Sequence, residues 1–495
     1  MRRLRHLLLV ACLCAGGYAG LLAPPTALAD SFPRPAAVRE MVQGLRLLNW
    51  FPAQGPHDRM WTAFDPDAID RDLGAVAALH GNAVRVIADV RVFTVPSPPS
   101  VYLDELSRTV GLAAAHGLRV QLTLFDQFGE YARVADSERW ADAVLGRFRG
   151  DPRIAFIELQ NQIAPQDDGA MRWARQLLPY VREVSGGIPV TVSVDAPASN
   201  LVDLQLALGS AAPDFWDFHY YFLPGSGQAT FREVAAVAAP RPLLIGEAGY
   251  STFPGNDAIP GVPPSAPAQE AYQDYLLRTV ELAAIEAGLP PAAPWLLNDF
   301  RSCGDCKPVD DFYGLFRADG SAKPAAATIS RTFAGVPVDR DIDLGFEGAA
   351  GDDPAYWRVL GAAGATFRRD PVIAHGGTAS ALIEGGEQGA AGDHCWAVQP
   401  LDPPRTGGRY SLSAWARGRS ATGRTAVEVA WLDYRGGAID TAASSPLTEG
   451  DTGWTRLSVS SSVPAGTVAA ELRLCTAENS GSAWFDDVRF DPAGT

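Results

Sequence analysis

Ala155-Phe156-Ile157-Glu158-Leu159-Gln160, running straight into Asn161-Gln162, is the stretch on which the fold turns. Its first half is apolar and its end is polar. A helical run over 138–148, stopped by Gly150, precedes it, and another follows over 171–184. A short apolar run between helices reads as a strand of a βα unit. The same texture recurs at 44–50, 83–88, 119–125, 190–194, 215–220, 243–247 and 294–297. Further helical runs separate these. One opens with Asp65-Pro66, a cap followed by proline at the first helical position, and ends at Gly81. Another covers 102–116 and stops at Gly117. Alternation of this kind implies a parallel sheet. Eight units over residues 36–334 match the size of a (β/α)₈ barrel. A doubly wound open sheet is the alternative, and no GxGxxG follows the first strand to support it.

Beyond Ala334 the texture changes. Residues 335–341 form a short linker. In 342–495 helical periodicity is replaced by short alternating runs at 409–416, 426–434, 455–459, 468–474 and 483–490, punctuated by Gly, Ser, Thr and Pro. That pattern predicts an antiparallel β-sandwich.

Residues 1–29 read as an export signal. Arg2, Arg3 and Arg5 are followed by an apolar stretch and by Ala27-Leu28-Ala29, a small-x-small cleavage site. The lipobox-like Leu9-Val10-Ala11-Cys12 offers a lipoprotein alternative, weakened by a very short apolar run ahead of the cysteine. No other stretch reads as membrane-spanning. After cleavage Cys303, Cys306, Cys395 and Cys475 remain, an even number for an oxidising compartment. The natural pairings are Cys303 with Cys306 and Cys395 with Cys475. Redox or zinc chemistry at the CxxC lacks a second CxxC or a His pair. The formal charge of −16 argues against nucleic acid and anionic membranes as the main partner. A monomer is expected.

Active sites of such barrels lie at the C-terminal strand ends. Here those ends carry Arg85, Asn161-Gln162, His219-Tyr220-Tyr221 and Gly246-Glu247, and the last strand carries Trp295. With Asn82-Ala83-Val84-Arg85-Val86, Asp217 to Tyr221, Ile245-Gly246-Glu247 and Tyr313-Gly314-Leu315-Phe316, the chain over 40–335 resembles the clan A glycoside hydrolases, above all their cellulase-like family 5 members. The resemblance implies that Glu247 is the nucleophile and that residue 162, after Asn161, is the acid/base. It implies substrate contacts for Arg85, Asn161, His219, Tyr221 and Trp295. It also implies a β-linked oligo- or polysaccharide as partner, with no cofactor for catalysis.

These residue types suit the chemistry. Retaining hydrolysis needs two carboxyl groups about 5 Å apart, one attacking the anomeric carbon and one protonating the leaving oxygen. Arg85 and Tyr221 would hold Glu247 ionised and oriented. Asn161 would bond the sugar 2-hydroxyl, and Trp295 would floor the sugar ring. Gln162 departs from the pattern, because an amide cannot serve as a general acid. It is compatible with an engineered trap, a glycan-binding pseudoenzyme, or activity on leaving groups that need no acid, as in the similar plant myrosinases. Asp126, Asp167 and Asp168 are carboxyls that could stand in. Glu158 lies deeper along its strand and reads as a structural partner. Trp50, Phe51, Trp61 and Trp140 read as packing.

The second half resembles the jelly-roll carbohydrate-binding modules attached to such enzymes, through Gly345-Phe346-Glu347 and Asp486-Asp487-Val488. The resemblance implies a structural calcium held by Glu347 and Asp486. Trp357, Trp396 and Trp415 are candidates either for stacking on a glycan or for the core.

Overall fold

The computed structural model describes residues 34–221, 224–301, 303–304, 306–361, 364–386 and 392–493. The export-signal reading over 1–29 lies outside them.

The first half is built on parallel strands. β1 (Leu47–Asn49), β2 (Ala83–Asp89), β3 (Arg119–Asp126), β4 (Ile154–Glu158) and β5 (Val190–Thr191) pair in sequence order. β6 (Ser193–Asp195), β7 (Trp216–Tyr220) and β8 (Leu243–Ala248) continue the ring. Helices alternate with them: α1 (Pro35–Gln43), α2 (Arg59–Thr62), α3 (Pro66–Ala78), α4 (Ser100–Ala115), α5 (Val134–Leu145), α6 (Asp168–Val184), α7 (Ala198–Leu208), α8 (Gly227–Ala238), α9 (Ala266–Glu286) and α10 (Pro324–Phe333). The caps work as their sequence suggests. Asp65 accepts from the backbone N–H of Asp67 and Ala68 at the start of α3, and Asp167 accepts from those of Gly169 and Ala170 at the start of α6. Every residue of β2, β4, β7 and β8 is buried, because helices cover one side and the barrel interior the other.

Two expected strands differ in detail. The run at 190–194 is split at Val192 into β5 and β6. The run at 294–297 is not a regular strand. Pro294 makes an isolated parallel bridge to Ala248 and, as a proline, has no N–H to extend a ladder. The segment nevertheless closes the ring. Trp295 N donates to Ala248 O at 2.8 Å on one side, and Leu297 N donates to Asn49 O at 3.0 Å on the other.

The second half is all-β: β9 (Ala349–Ala350), β10 (Asp353–Pro354), β11 (Arg358–Leu360), β12 (Ala365–Asp370), β13 (Ser380–Gly385), β14 (Asp393–Val398), β15 (Arg409–Arg419), β16 (Arg424–Leu432), β17 (Ala438–Ala443), β18 (Thr455–Ser462), β19 (Ala469–Ala477) and β20 (Ser482–Pro492). Two five-stranded antiparallel sheets, β11-β14-β19-β16-β17 and β12-β13-β20-β15-β18, make a sandwich. The architecture is thus a (β/α)₈ barrel followed by a β-sandwich. Cys395 and Cys475 face each other in register on β14 and β19 and are joined, as are Cys303 and Cys306. Trp357 and Trp396 are 1 % and 0 % exposed, which makes them core residues and removes them as glycan platforms. Trp415 is half-buried and stacks on His375 at 4.1 Å between ring centroids.

The two halves share one hydrophobic core cluster. Tyr275 of α9 donates to Gln399 O at 2.7 Å, and Gln228 of α8 donates to Leu401 O at 3.1 Å. Val359 N donates to Gly261 O at 2.7 Å. Gly261 has φ +87° and a Cβ there would lie 1.9 Å from Val359 O, so only glycine permits this approach. Arg358 donates to Pro260 O at 3.1 Å and pairs with Glu471, which is 1 % exposed and also pairs with Arg473. Arg358→Ala would strand part of that buried charge. It is expected to lower the unfolding free energy by roughly 3 kcal/mol, read from denaturant melts. A loss below about 0.5 kcal/mol, as for a surface pair, would show that the junction does not depend on it.

Candidate active site

The C-terminal strand ends surround a cleft of about 520 Å³. Below it Arg85 of β2 is 1 % exposed and distributes its donors among four strands. Nε donates to Thr123 Oγ1 at 2.8 Å and to Glu158 Oε2 at 3.0 Å. Nη2 donates to Glu158 Oε2 at 2.6 Å and to Asn161 Oδ1 at 2.8 Å. Nη1 donates to Asn49 Oδ1 at 3.2 Å and to Glu247 Oε1. Glu158 also accepts from Gln121 and Thr123 and is wholly buried, the structural partner that its depth implies.

Glu247 stands near the end of β8. Its Oε2 accepts from Tyr221 Oη at 2.6 Å while Oε1 takes Arg85. Burial raises its pKa above the ordinary carboxylate value, and Arg85 and Tyr221 pull the other way. The Tyr221 hydroxyl is pushed well up, first by burial and then by the Glu247 charge, so it stays a donor.

His219 Nδ1 lies 3.1 Å from Gln162 Nε2 and 3.4 Å from Glu247 Oε1. The amide and the carboxylate therefore flank one ring nitrogen across one cleft. Gln162 is exposed, has φ 44°, and its backbone N donates to Ser193 Oγ at 2.8 Å. Phe125 and Gln127 at the end of β3 also have positive φ, so unusual backbone clusters around the cleft. Burial, with Arg85 second, pushes the His219 pKa down to about 3, leaving a neutral imidazole. Trp295 lines the cleft, half-buried, with its ring edge-on to Phe51 at 6.1 Å. All seven barrel residues singled out in the sequence thus meet in or directly beneath one cleft.

Several residues were not legible as site members. Asn49 ties Arg85 to the backbone of Gly246, where its Nδ2 donates to the carbonyl at 2.8 Å. Asp195 and Asp310 bring carboxyls to the cleft, and Tyr313 packs edge-on to Tyr221 at 6.2 Å. Asp217 lies two residues before His219 on β7, so strand alternation puts both on the interior face. Its Oδ1 is 3.7 Å from His219 Nε2. A Cβ on Gly246 would fall 2.1 Å from that same Oδ1, so glycine is what admits the carboxyl beside β8. Of the stand-in carboxyls, Asp167 is spent on the α6 cap and Asp168 lies in that helix's first turn. Asp126 lines the cleft, its pKa raised by burial to about 6. Trp50, Trp61 and Trp140 are packing residues, each at most 2 % exposed, whereas Phe51 also borders the cleft.

Two groups of described residues approach metal-binding spacing. His57, Cys303 and Cys306 form one, but the cysteines are disulfide-bonded and offer no thiolate. Glu158, Asp217 and His219 form the other, where the Arg85 guanidinium already supplies the positive charge, and we assign no metal. In the sandwich, Glu347 and Asp486 meet one loop. Glu347 accepts from Thr378 N and Oγ1, and Asp486 Oδ2 accepts from the N–H of His375 and Gly376. Donors, not carbonyl oxygens, meet both carboxylates, so a cation would fit only by displacing them.

No protein-family model and no curated protein sequence matches the chain. Solved structures are similar to it. One is the exo-beta-1,4-mannosidase Op5Man5 from Opitutaceae bacterium strain TAV5, at 19 % identity and TM-score 0.48, over 58 % of this chain and 59 % of that one, under two thirds of its length. Another is a GH5_18 protein from Streptomyces cattleya in complex with GlcNAc, at 18 % identity and TM-score 0.47, over 60 % and 83 %. A third is a GH5_18 protein from Bifidobacterium longum subsp. longum ATCC 55813, at 16 % identity and TM-score 0.49, over 60 % and 82 %.

Proposed function

We propose that the protein is a secreted, retaining β-glycoside hydrolase of the clan A type acting on a β-linked oligo- or polysaccharide. The observation that carries this reading is a carboxylate, Glu247, gripped by Arg85 and Tyr221 at the mouth of a barrel, with the side chain of residue 162 across the cleft. Retaining enzymes place attacking carboxylate and proton donor about 5 Å apart, and a shared contact with one ring nitrogen suits that spacing. Glu247 would attack the anomeric carbon from below. Arg85 and Tyr221 donate to its two oxygens, so they fix its direction. Asn161, itself held by Arg85, would bond the 2-hydroxyl as the oxocarbenium-like charge develops. Trp295 would carry the apolar face of the sugar.

Gln162 occupies the acid/base position and has no proton to give. General acid–base catalysis contributes typically about 10²–10⁴-fold. Leaving groups stable as anions would depart unaided, and an ordinary alkoxide needs a proton from another group in the cleft. The same feature supports a rival reading, a glycan-binding protein without turnover.

Replacing Glu247 by alanine separates the two readings. The unmodified chain is expected to release dinitrophenol from at least one of the dinitrophenyl β-glucoside, β-mannoside and β-galactoside. Glu247→Ala should lose roughly 10⁴-fold or more, and added azide should restore turnover and give the α-glycosyl azide. Glycan binding with no release from any donor by the unmodified chain would leave a binding protein. Unchanged turnover by the variant would remove Glu247 as nucleophile.

A structural calcium at Glu347 and Asp486 belongs to the same proposal. Thermal melts in millimolar calcium and in EDTA test it. A rise of several degrees with calcium supports the ion, as expected for a ligand bound well above its Kd. Superimposable melts remove it.

A further inference from the structure

A protonated imidazole is not on hand to replace the missing acid, because His219 is neutral. A neutral imidazole can instead pass a proton along, taking one at one nitrogen while releasing one from the other. The orientation of the ring decides whether it is set to do so. Nδ1 faces the cleft, 3.4 Å from the Glu247 carboxylate. A lone pair on Nδ1 would repel that oxygen, so the favoured tautomer carries hydrogen on Nδ1. Gln162 then turns its amide oxygen to the ring, an orientation that heavy-atom positions do not distinguish from the flipped one. Nε2 is left with its lone pair, and it faces Asp217 Oδ1 at 3.7 Å.

We propose that Asp217 and His219 form a proton relay that replaces the acid/base carboxyl lost at position 162. The proposal rests on the retaining-glycosidase reading above. In the first half-reaction Glu247 bonds to the anomeric carbon and the glycosidic C–O bond breaks. The departing oxygen takes the hydrogen of His219 Nδ1, and Nε2 takes the hydrogen of Asp217. In the second half-reaction a water gives a proton to Nδ1 and its oxygen bonds to the anomeric carbon. Glu247 departs as carboxylate, and the Nε2 hydrogen returns to Asp217. Every proton is accounted for within these groups and the water. Gln162, exposed and held among the described residues by its backbone to Ser193 and by its amide to the ring, can swing aside for the leaving group.

The surroundings of Asp217 suit the part. Glu158 from β4, Glu247 from β8, Arg85 from β2 and His219 from its own strand face it. Burial, then Glu158, holds its carboxyl well above the usual carboxylate range, with Glu247 adding to the effect and Arg85 opposing it. The relay takes it as the protonated partner. When Glu247 becomes a neutral ester its charge is withdrawn, and Asp217 can release its proton at the step that needs one. Hydrolysis of the ester restores the charge and draws the proton back to Asp217. Positions in an empty cleft are often looser than in the reacting complex, which accommodates the 3.7 Å separation.

A leaving-group series tests the relay. For the unmodified chain, Asp217→Asn and His219→Gln, kcat/KM would be measured on dinitrophenyl, nitrophenyl and phenyl β-glycosides of the sugar that is turned over. The relay predicts that the loss in both variants grows as the leaving group worsens, and is roughly 10²-fold or more greater on the phenyl donor than on the dinitrophenyl donor. It also predicts that azide accelerates the variants far more than the unmodified chain, giving the β-glycosyl azide. Asp217→Asn keeps the shape of the site, and circular dichroism with thermal melts reports whether each variant is folded. Equal losses on every donor would make Asp217 and His219 merely structural and overturn the relay. A leaving-group-dependent loss in Asp126→Asn instead would assign the proton to that cleft carboxyl. Absence of turnover by the unmodified chain on all donors would sink the glycosidase reading and the relay with it.

Discussion

The Arg85 guanidinium is the cation shared by Glu158, Asp217 and Glu247 inside the barrel. Three buried carboxyls cannot all ionise around one positive charge, since each further charge is penalised by burial and by its neighbours. The site resolves this by dividing roles. Glu158 commits its Oε2 to Arg85, Gln121 and Thr123. Glu247 reaches the cleft with a donor on each oxygen. Among the described residues no side chain donates to Asp217, and burial with the neighbouring Glu158 charge holds its carboxyl well above the usual carboxylate range. The proposed roles draw on that division, with Glu247 as the attacking carboxylate and Asp217 as the proton reserve.

Much of this was legible in the sequence because strand ends carry the chemistry. The runs at 83–88, 155–160, 215–220 and 243–247 are short and apolar, and each carries or leads into a polar residue that the structure brings into or beneath the cleft. Asp217 escaped notice because a carboxyl within an apolar strand looks like a packing anomaly until the neighbouring strands are known. Strand alternation from His219 and Tyr221 could have found it. Asp195, Asp310 and Tyr313 come from segments whose approach to the cleft depends on loop paths. Local patterning says nothing about such paths. The run at 294–297 read as a strand, and its proline left it as a hydrogen-bonded closing segment.

The sandwich is not a loosely tethered module. Its strands β11 and β14 continue into contacts with α8, α9 and the loop at 260–261, and the apolar core runs through the junction. A glycine at 261 and a buried ion pair at Arg358 and Glu471 make sense only if the two halves are held in one arrangement. Trp357, Trp396, Trp431 and Trp484 are spent on its own core. The sandwich therefore contributes first as a buttress for α8 and α9, the helices that flank β8 and so support the strand carrying Glu247.

The central claim is that Glu247 is the group that becomes bonded to sugar. Fluorosugar donors, fluorinated next to the anomeric carbon and carrying a dinitrophenyl or fluoride leaving group, form the ester but slow its hydrolysis. Incubation with gluco-, manno- and galacto-configured donors, followed by intact mass and peptide mapping, reads the outcome directly. The account predicts one added glycosyl unit on the peptide containing Glu247. A stable adduct on another residue, or no adduct from any donor that the protein is shown to bind, would contradict it.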